Sequence, residues 1–553
     1  MNYIDKYNEW LNGNFLSIED ARILKNMSQK EIKESFSKDL EFGTAGIRGI
    51  MGLGTNRINK YTISKVTKGL SNYLNKKYKD PVVVIAFDTR NNSKDFAILT
   101  SNILNSNKIK TFMFDDVAST PELSFAVTYL KASAGIVITS SHNSSDYNGY
   151  KIYNSFGSQI VSPEDEYIIN EINKINSLDL IIDKESNNDL NTILDDSIRN
   201  EFIKENMKVI INNNYIKEYS KYLNITYTSL HGVGMKIVPK IFKDLNVKVK
   251  FVIEQCNYDS NFTYAKEPNP ELIVNYDIAI KYANNNNSDL ILASDPDSDR
   301  LGVMIKTPKG YELLNGNIVG AIYTDYILSN TTNLKNKYIV RSIVTSNMID
   351  KIADKYNVKV KEVLTGCKNI ANIRNQDKDN YLFGFEESLG YMFNINVNDK
   401  NSYSSIISLI EICSFLKSKN ISLYECITQL YKKYGYYYEK NISIYYEGID
   451  GINKMNNIMN ELRYKNIENY KKIDYYKNND YLRTNCIKYI VSEEAYFLIR
   501  PSGTEAKIKI YIITNSSSRN KSVKLNDSLE KTIRNLLEVY IWNYMLKRKI
   551  LNY

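Results

Sequence analysis

The stretch "LILASDPDSDRLGV", residues 290–303, passes from an apolar run to a dense polar cluster within a few residues. Leu290–Ala293 carries only apolar side chains, and its brevity suits a buried strand of an α/β sheet. Asp295, Asp297 and Asp299 then place three carboxylates within five residues. Such groups repel one another unless a cation lies between them. A hard divalent ion, Mg²⁺, is the expected occupant, since it takes oxygen ligands and completes its shell with water or phosphate. A calcium loop would need Gly at its sixth position and Glu at its twelfth, where this chain has Arg300 and Lys306. A phosphatase with the first aspartate as nucleophile is an alternative. A plain acidic turn without an ion is another.

Working outward, the same strand-to-polar transition recurs. "AGIVIT" (134–139) leads into Ser140–Asn143, "YLFGF" (381–385) into "EESLG", and "AYFLI" (495–499) into "RPSGTE". Ligands collect beyond the carboxyl ends of strands in open α/β sheets, because the loops there are free to carry polar groups. Four such clusters predict several α/β domains facing a shared cleft. The last cluster, "RPSGTEAKIKIYI", runs straight into another strand and predicts an α+β unit. A chain of 553 residues fits roughly three to five domains. The polar, helix-like segment 186–215 is expected to connect domains. Pattern shifts near 312–320 and 434 mark further boundaries, and 524–548 reads as a long helix.

Composition excludes several classes. Charged residues make up 24% and hydrophobic residues 43%, ordinary for a globular protein. The apolar run "VVVIAF" (82–87) suits a strand and is far too short to span a bilayer. The opening "MNYIDKYNEW" lacks the apolar core of a signal peptide. Cys256, Cys367, Cys413, Cys426 and Cys486 are scattered, without CxxC spacing, as in a reducing compartment. A cytoplasmic enzyme is therefore expected, with no membrane and no nucleic-acid partner. The net charge of +9 is spread along the chain and at most favours small anions. Nothing in the sequence sets the oligomeric state.

The stretch "TSSHNSSDYNGYK" (139–151) holds His142, one of only two histidines. With so few bases and no GxSxG elbow, a hydrolase triad is poorly supported. A serine beside a divalent ion suits a phosphoryl carrier, whose phosphate brings a charge of about −1.5 to −2 and oxygen ligands. Lys151 is a cation suited to hold a phosphate or donate a proton. "RPSGTEAK" supplies Arg500, the hydroxyls of Ser502 and Thr504, and a flexible Gly503, a set that suits a phosphate nest as well as a plain hairpin turn. Glu386 and Ser388 are suited to adjacent sugar hydroxyls, or to an exposed loop.

Taken in order, "FGTAGIRG" (42–49), "TSSHNSSDYNGYK", "LHGVG" (230–234), "DPDSDRLGV", "LTGCK" (364–368), "GFEESLGY" and "RPSGTEAKIKIY" resemble the α-D-phosphohexomutase family, in its phosphoglucomutase-like branch. The resemblance implies four domains around a central cleft, three similar α/β units and a C-terminal α+β unit, here 1–205, 206–314, 315–434 and 435–553. It implies that Ser141, immediately before His142, carries the phosphoryl group. Asp295, Asp297, Asp299 and a phosphoserine oxygen would ligate Mg²⁺, with Arg48, His142 and Lys151 serving proton transfer and charge stabilisation. Arg300, Lys368, Glu386 and Ser388 would contact the sugar, and Arg500, Ser502, Gly503 and Thr504 its far phosphate. The implied reaction interconverts glucose 1-phosphate and glucose 6-phosphate, with a hexose 1,6-bisphosphate as intermediate and activator. Mannose or pentose phosphates are alternatives on the same scaffold, and a Mg-dependent sugar phosphatase or an inactive binding homologue lie further off. Ser144 and Ser229 stand where the family usually has proline, and Ala506 where this branch often does. Each change costs well under roughly 1 kcal/mol if the loop otherwise holds.

Overall fold

The computed structural model describes residues 2–43, 46–175, 188–446, 451–467, 469–478, 481–502 and 506–551, with side chains as far as Tyr540 in the last helix. The chain packs as two compact units, Met1–Val319 with Ile370–Leu423, and Gly320–Asn369 with Tyr424–Tyr553.

In the first unit, strands β1 (Gly46–Ile50), β2 (Val82–Phe87), β3 (Lys110–Phe114), β4 (Ala134–Ile138), β5 (Tyr147–Asn154) and β6 (Asn191–Leu194) form one sheet, in the order β1-β5-β4-β2-β3-β6. Strands β2, β3, β4 and β6 run parallel, while β5 is antiparallel to both β4 and β1. The central strands β2 and β4 are apolar and almost wholly buried, as expected where helices cover both faces. A second sheet follows the order β11-β10-β9-β7-β8, from β7 (Asn224–Thr228), β8 (Lys248–Phe251), β9 (Leu290–Ser294), β10 (Leu301–Thr307) and β11 (Gly310–Leu313). Strand β9 lies at its centre, parallel to β7 and fully buried.

Strands β12 (Tyr338–Ser342) and β13 (Lys359–Val363) pair in parallel within the second unit. Strands β14 (Tyr381–Glu386) and β15 (Gly390–Phe393) form an antiparallel hairpin in the first. The second unit ends in an antiparallel sheet, β16-β20-β19-β18-β17, built from β16 (Tyr436–Tyr445), β17 (Lys471–Asp474), β18 (Ile487–Ser492), β19 (Ala495–Pro501) and β20 (Lys507–Ser516). The helices Gly451–Tyr464 and Arg519–Leu551 pack on it, burying Ile458, Leu462, Leu529, Ile533 and Leu537 against Phe497, Ile510 and Ile512.

One expectation is corrected. Within 186–215, Asn191–Leu194 forms β6, an edge strand parallel to β3, and the chain becomes helical at Asp196–Met207. The strand is four residues long and leaves Ile193 51% exposed. It was hidden because an edge strand needs no apolar alternation to pair its backbone. Among the described residues no helix is long and apolar enough to cross a membrane.

Candidate functional site

The acidic loop follows β9 and the serine loop follows β4, and the first unit brings them into contact. Ser141 Oγ donates a hydrogen bond to Asp295 Oδ2 at 3.0 Å. Ser141 is 2% exposed and its backbone is left-handed, φ 51°. Its N–H donates to Thr139 Oγ1 at 2.9 Å. His142 Nδ1 lies 3.3 Å from Ser141 Oγ.

Asp295, Asp297 and Asp299 are buried, and each offers one oxygen within 4.8 Å of the others. Asp295 Oδ1 accepts the backbone N–H groups of Asp299 and Arg300, which tightens the turn. Asp297 Oδ1 and Asp299 Oδ1 are buried with no hydrogen-bond partner among the described residues. Burial, and then the charges of Asp299 and Asp297, push the Asp295 carboxyl well above its usual range. Burial also pushes on Asp297, but Lys151 and Lys400 more than offset it and hold that group below the usual range. Clustered, dry carboxylate oxygens with unfilled lone pairs fit a hard divalent cation.

Cations ring this cluster. Lys151, on β5 and 6% exposed, donates to Asp297 Oδ2 at 2.7 Å and lies 3.9 Å from Asp299 Oδ2. Arg48, on β1 and exposed, donates from Nη1 to Asn143 Oδ1 at 2.9 Å. The β1–β5 register sets Arg48 against Gly149 and Gly46 against Lys151, so one strand pair delivers both cations. Burial, with the charges of Arg300, Arg48 and Lys400, holds the His142 imidazole well below its usual range. Arg300 lies 3.9 Å from both Glu271 Oε1 and Asp299 Oδ1. Glu386, at the end of β14, is 7% exposed and close enough for its charge to act on Arg300. Ser388 is half-buried in the turn beyond it. That turn is tied to the acidic loop, since the Leu301 N–H donates to the Leu389 carbonyl at 3.1 Å.

Lys368, Arg500 and Ser502 belong to the second unit. There Lys368 is half-buried at the start of the helix Cys367–Gln376. Arg500 Nη1 donates to Thr365 Oγ1, joining "LTGCK" to the "RPSGTE" turn. The Ser502 N–H donates to the Lys507 carbonyl at 2.8 Å. Gly503 and Thr504 lie outside the described residues.

Sequence reasoning missed two residues at the acidic loop. Thr120 donates from Oγ1 to Asp297 Oδ2 at 2.8 Å and from its N–H to the Asp297 carbonyl at 3.1 Å. Lys400 reaches Asp299 Oδ2 at 2.9 Å. A lone threonine at a helix start and a lysine in an asparagine-rich loop carry no local signal, because only tertiary packing brings them to the aspartates.

The phosphoglucomutase/phosphomannomutase family matches the chain in three pieces, its alpha/beta/alpha domain I over residues 39–179, domain II over 200–310 and domain III over 315–434. A phosphoglucomutase of Staphylococcus haemolyticus is 35% identical over 517 residues, spanning 87% of this chain and 92% of the relative. Among solved structures, the open form of parafusin, a Paramecium phosphoprotein described as a phosphoglucomutase, superposes with a TM-score of 0.70 at 18% identity, over 91% of this chain and 96% of that one. A phosphoglucomutase/phosphomannomutase family protein of Burkholderia thailandensis gives a TM-score of 0.67 at 15% identity, over 90% and 97%. At these identities the two structures speak for the fold.

Proposed function

The chain belongs to the phosphoglucomutase/phosphomannomutase family of α-D-phosphohexomutases, and from that premise we propose that it interconverts glucose 1-phosphate and glucose 6-phosphate through a phosphoserine at Ser141. It is an isomerase that moves a phosphoryl group between two oxygens of one sugar. The observation that carries the residue assignment is the 3.0 Å contact between Ser141 Oγ and Asp295 Oδ2. A buried hydroxyl meets a cluster of buried carboxylates there.

In the forward half-reaction, the phosphorus–Oγ bond of phospho-Ser141 breaks as a bond forms to O6 of glucose 1-phosphate. The O6 proton leaves to a base, Ser141 Oγ takes up a proton as it leaves the phosphorus, and the product is a hexose 1,6-bisphosphate. In the second half-reaction the C1 phosphoryl group passes to Ser141 Oγ. The phosphorus–O1 bond breaks, a base takes the Oγ proton, and O1 accepts a proton to become the C1 hydroxyl of glucose 6-phosphate. His142 Nδ1, 3.3 Å from Oγ, is placed to take and return the Oγ proton. Lys151 and Arg48 bring positive charge to the transferring group. Mg²⁺, held by Asp295, Asp297, Asp299 and a phosphoserine oxygen, would neutralise charge as the phosphoryl group moves. Arg300, Lys368, Glu386 and Ser388 would bind the sugar, and Arg500, Ser502, Gly503 and Thr504 the phosphate that stays on it.

The segments 1–205, 206–314, 315–434 and 435–553 are taken as the functional domains of this reading. Five free cysteines, four of them buried, support a reducing cytoplasmic setting.

Two measurements test the proposal. Intact-mass spectrometry after incubation with glucose 1,6-bisphosphate should find one phosphoryl group on the parent chain and none on Ser141→Ala. A coupled assay should find turnover of glucose 1-phosphate lowered at least about 10⁴-fold in that variant. Release of inorganic phosphate without isomerisation would replace the mutase with a phosphatase, and parental turnover in Ser141→Ala would remove the serine from the chemistry.

A further inference from the structure

Strands β2 and β4 are parallel neighbours, with Phe87 opposite Ile138. Parallel neighbours release their following loops at the same edge of the sheet. Residues 88–92 therefore emerge beside the serine loop. The Asp88 N–H donates to the Ile138 carbonyl at 3.1 Å, which fastens the two loops where they begin.

Arg90 stands in the first of these loops, outside every stretch singled out in the sequence, and is 3% exposed. Its guanidinium is spent almost entirely on the backbone of the other loop. Nη2 donates to the carbonyls of Ser141 and Asn143 at 2.6 and 2.5 Å. Nη1 donates to those of Ser144 and Tyr147 at 2.6 and 2.9 Å. Nε donates to Asp88 Oδ2 at 3.1 Å. Asp88 is itself fixed, because its Oδ1 accepts from the Arg90 N–H and from Ser93 Oγ. The guanidinium carbon sits 4.9 Å from the ring centroid of Phe262. A planar fork with five N–H donors matches four carbonyls and a carboxylate, and a lysine ammonium with three donors on one atom cannot.

We infer that Arg90 is a positioning residue for phosphoryl transfer, which turns four carbonyl oxygens of the serine loop inward and so keeps them from facing the phosphoryl group. The inference rests on the mutase reading of Ser141. Carbonyl oxygens carry partial negative charge, and four of them facing a phosphoserine dianion would oppose its formation. Their lone pairs are drawn onto Arg90, while Ser141 Oγ bonds Asp295 instead. The same bonds hold Ser141 in its left-handed conformation, which serine does not favour unaided.

The test compares Arg90→Lys and Arg90→Ala with the parent chain. In both variants kcat for glucose 1-phosphate should fall about 100-fold, as for a reacting atom displaced by about 1 Å, while KM stays within about threefold. Added guanidinium should restore part of the turnover of Arg90→Ala and none of that of Ser141→Ala. Hydrogen exchange read by mass spectrometry should quicken across 139–147 and stay parental across 290–303. The inference is overturned by parental kcat, by a loss that follows KM or the folded fraction in a melting curve, or by unchanged exchange at 139–147. A parent chain that does not isomerise any hexose 1-phosphate would sink the mutase reading instead. The exchange measurement would then decide alone whether Arg90 holds the loop.

Discussion

Asp295, Asp297 and Asp299 bring like charges together in a buried loop, where Lys151 pairs with Asp297 and Lys400 with Asp299. A ligand that binds the folded state alone stabilises it by about 2.7 kcal/mol at one hundred times its Kd. Mg²⁺ should therefore raise the melting temperature of the chain, and chelation should lower it again. Asp299→Asn removes one carboxylate of the proposed cation site and should weaken Mg²⁺ at least about tenfold by calorimetric titration. Gly46 is another residue that cannot be exchanged freely. Its φ is +118°, and a Cβ there would stand 1.9 Å from the Tyr150 carbonyl oxygen. Gly46→Ala should cost at least about 2 kcal/mol in urea unfolding, and should lower turnover because β1 and β5 carry Arg48 and Lys151. Ser144 illustrates compensation. It lacks the stiffness of the proline usual in the family, but its Oγ donates to Asp146 Oδ1 at 2.5 Å, a bond that proline cannot make.

At the scale of elements, helix starts place several of the site's polar groups. The helix Thr120–Tyr129 opens with a capping box between Ser119 and Glu122, and Thr120 at its first position reaches Asp297. The helix Ser402–Ser418 is capped by Asn401, whose Oδ1 accepts from the Tyr403 and Ser404 N–H groups. Asn401 also donates from Nδ2 to Asn206 Oδ1 at 2.8 Å. The next residue, Ser402, donates to the Ser298 carbonyl at 2.7 Å within the acidic loop. Asn401→Ala should thus cost about 1–2 kcal/mol. It should also loosen Lys400, read as faster exchange in 396–402 and a lower kcat at unchanged folded fraction. The strand ends that carry Ser141, the aspartates and Glu386 were legible from apolar runs ending in polar clusters. The edge strand Asn191–Leu194 was not, because a short, half-exposed strand is held by backbone pairing with β3 rather than by its side chains.

For the whole molecule, the chain leaves the first unit at Val319, returns at Ile370 and leaves again at Leu423. The aspartate cluster and Ser141 both belong to that first unit. Chains of this size and division seldom unfold in one step. Scanning calorimetry should give more than one transition, with a van't Hoff enthalpy below the calorimetric enthalpy. Mg²⁺ should shift most strongly the transition of the first unit, since only that unit offers the carboxylates. A single transition moved as a whole would mean that the two units unfold cooperatively.

By itself the sequence determined the chemistry available to this protein. The serine loop, the acidic triplet and the RPSGTE turn are local strings, and the fitness of hydroxyls, carboxylates and an arginine for phosphate and a divalent ion follows from charge and donor type. It also determined the α/β character, since buried parallel strands need continuous apolar runs. Tertiary structure alone decided that Ser141 touches Asp295 across 154 positions, that Lys400 and Thr120 attend the aspartates, and that Arg90 gathers the serine loop's carbonyls. These are contacts between residues far apart in the chain, set by strand order and by which loops leave the same edge of a sheet. No local pattern records that order, because each strand would look the same beside a different neighbour.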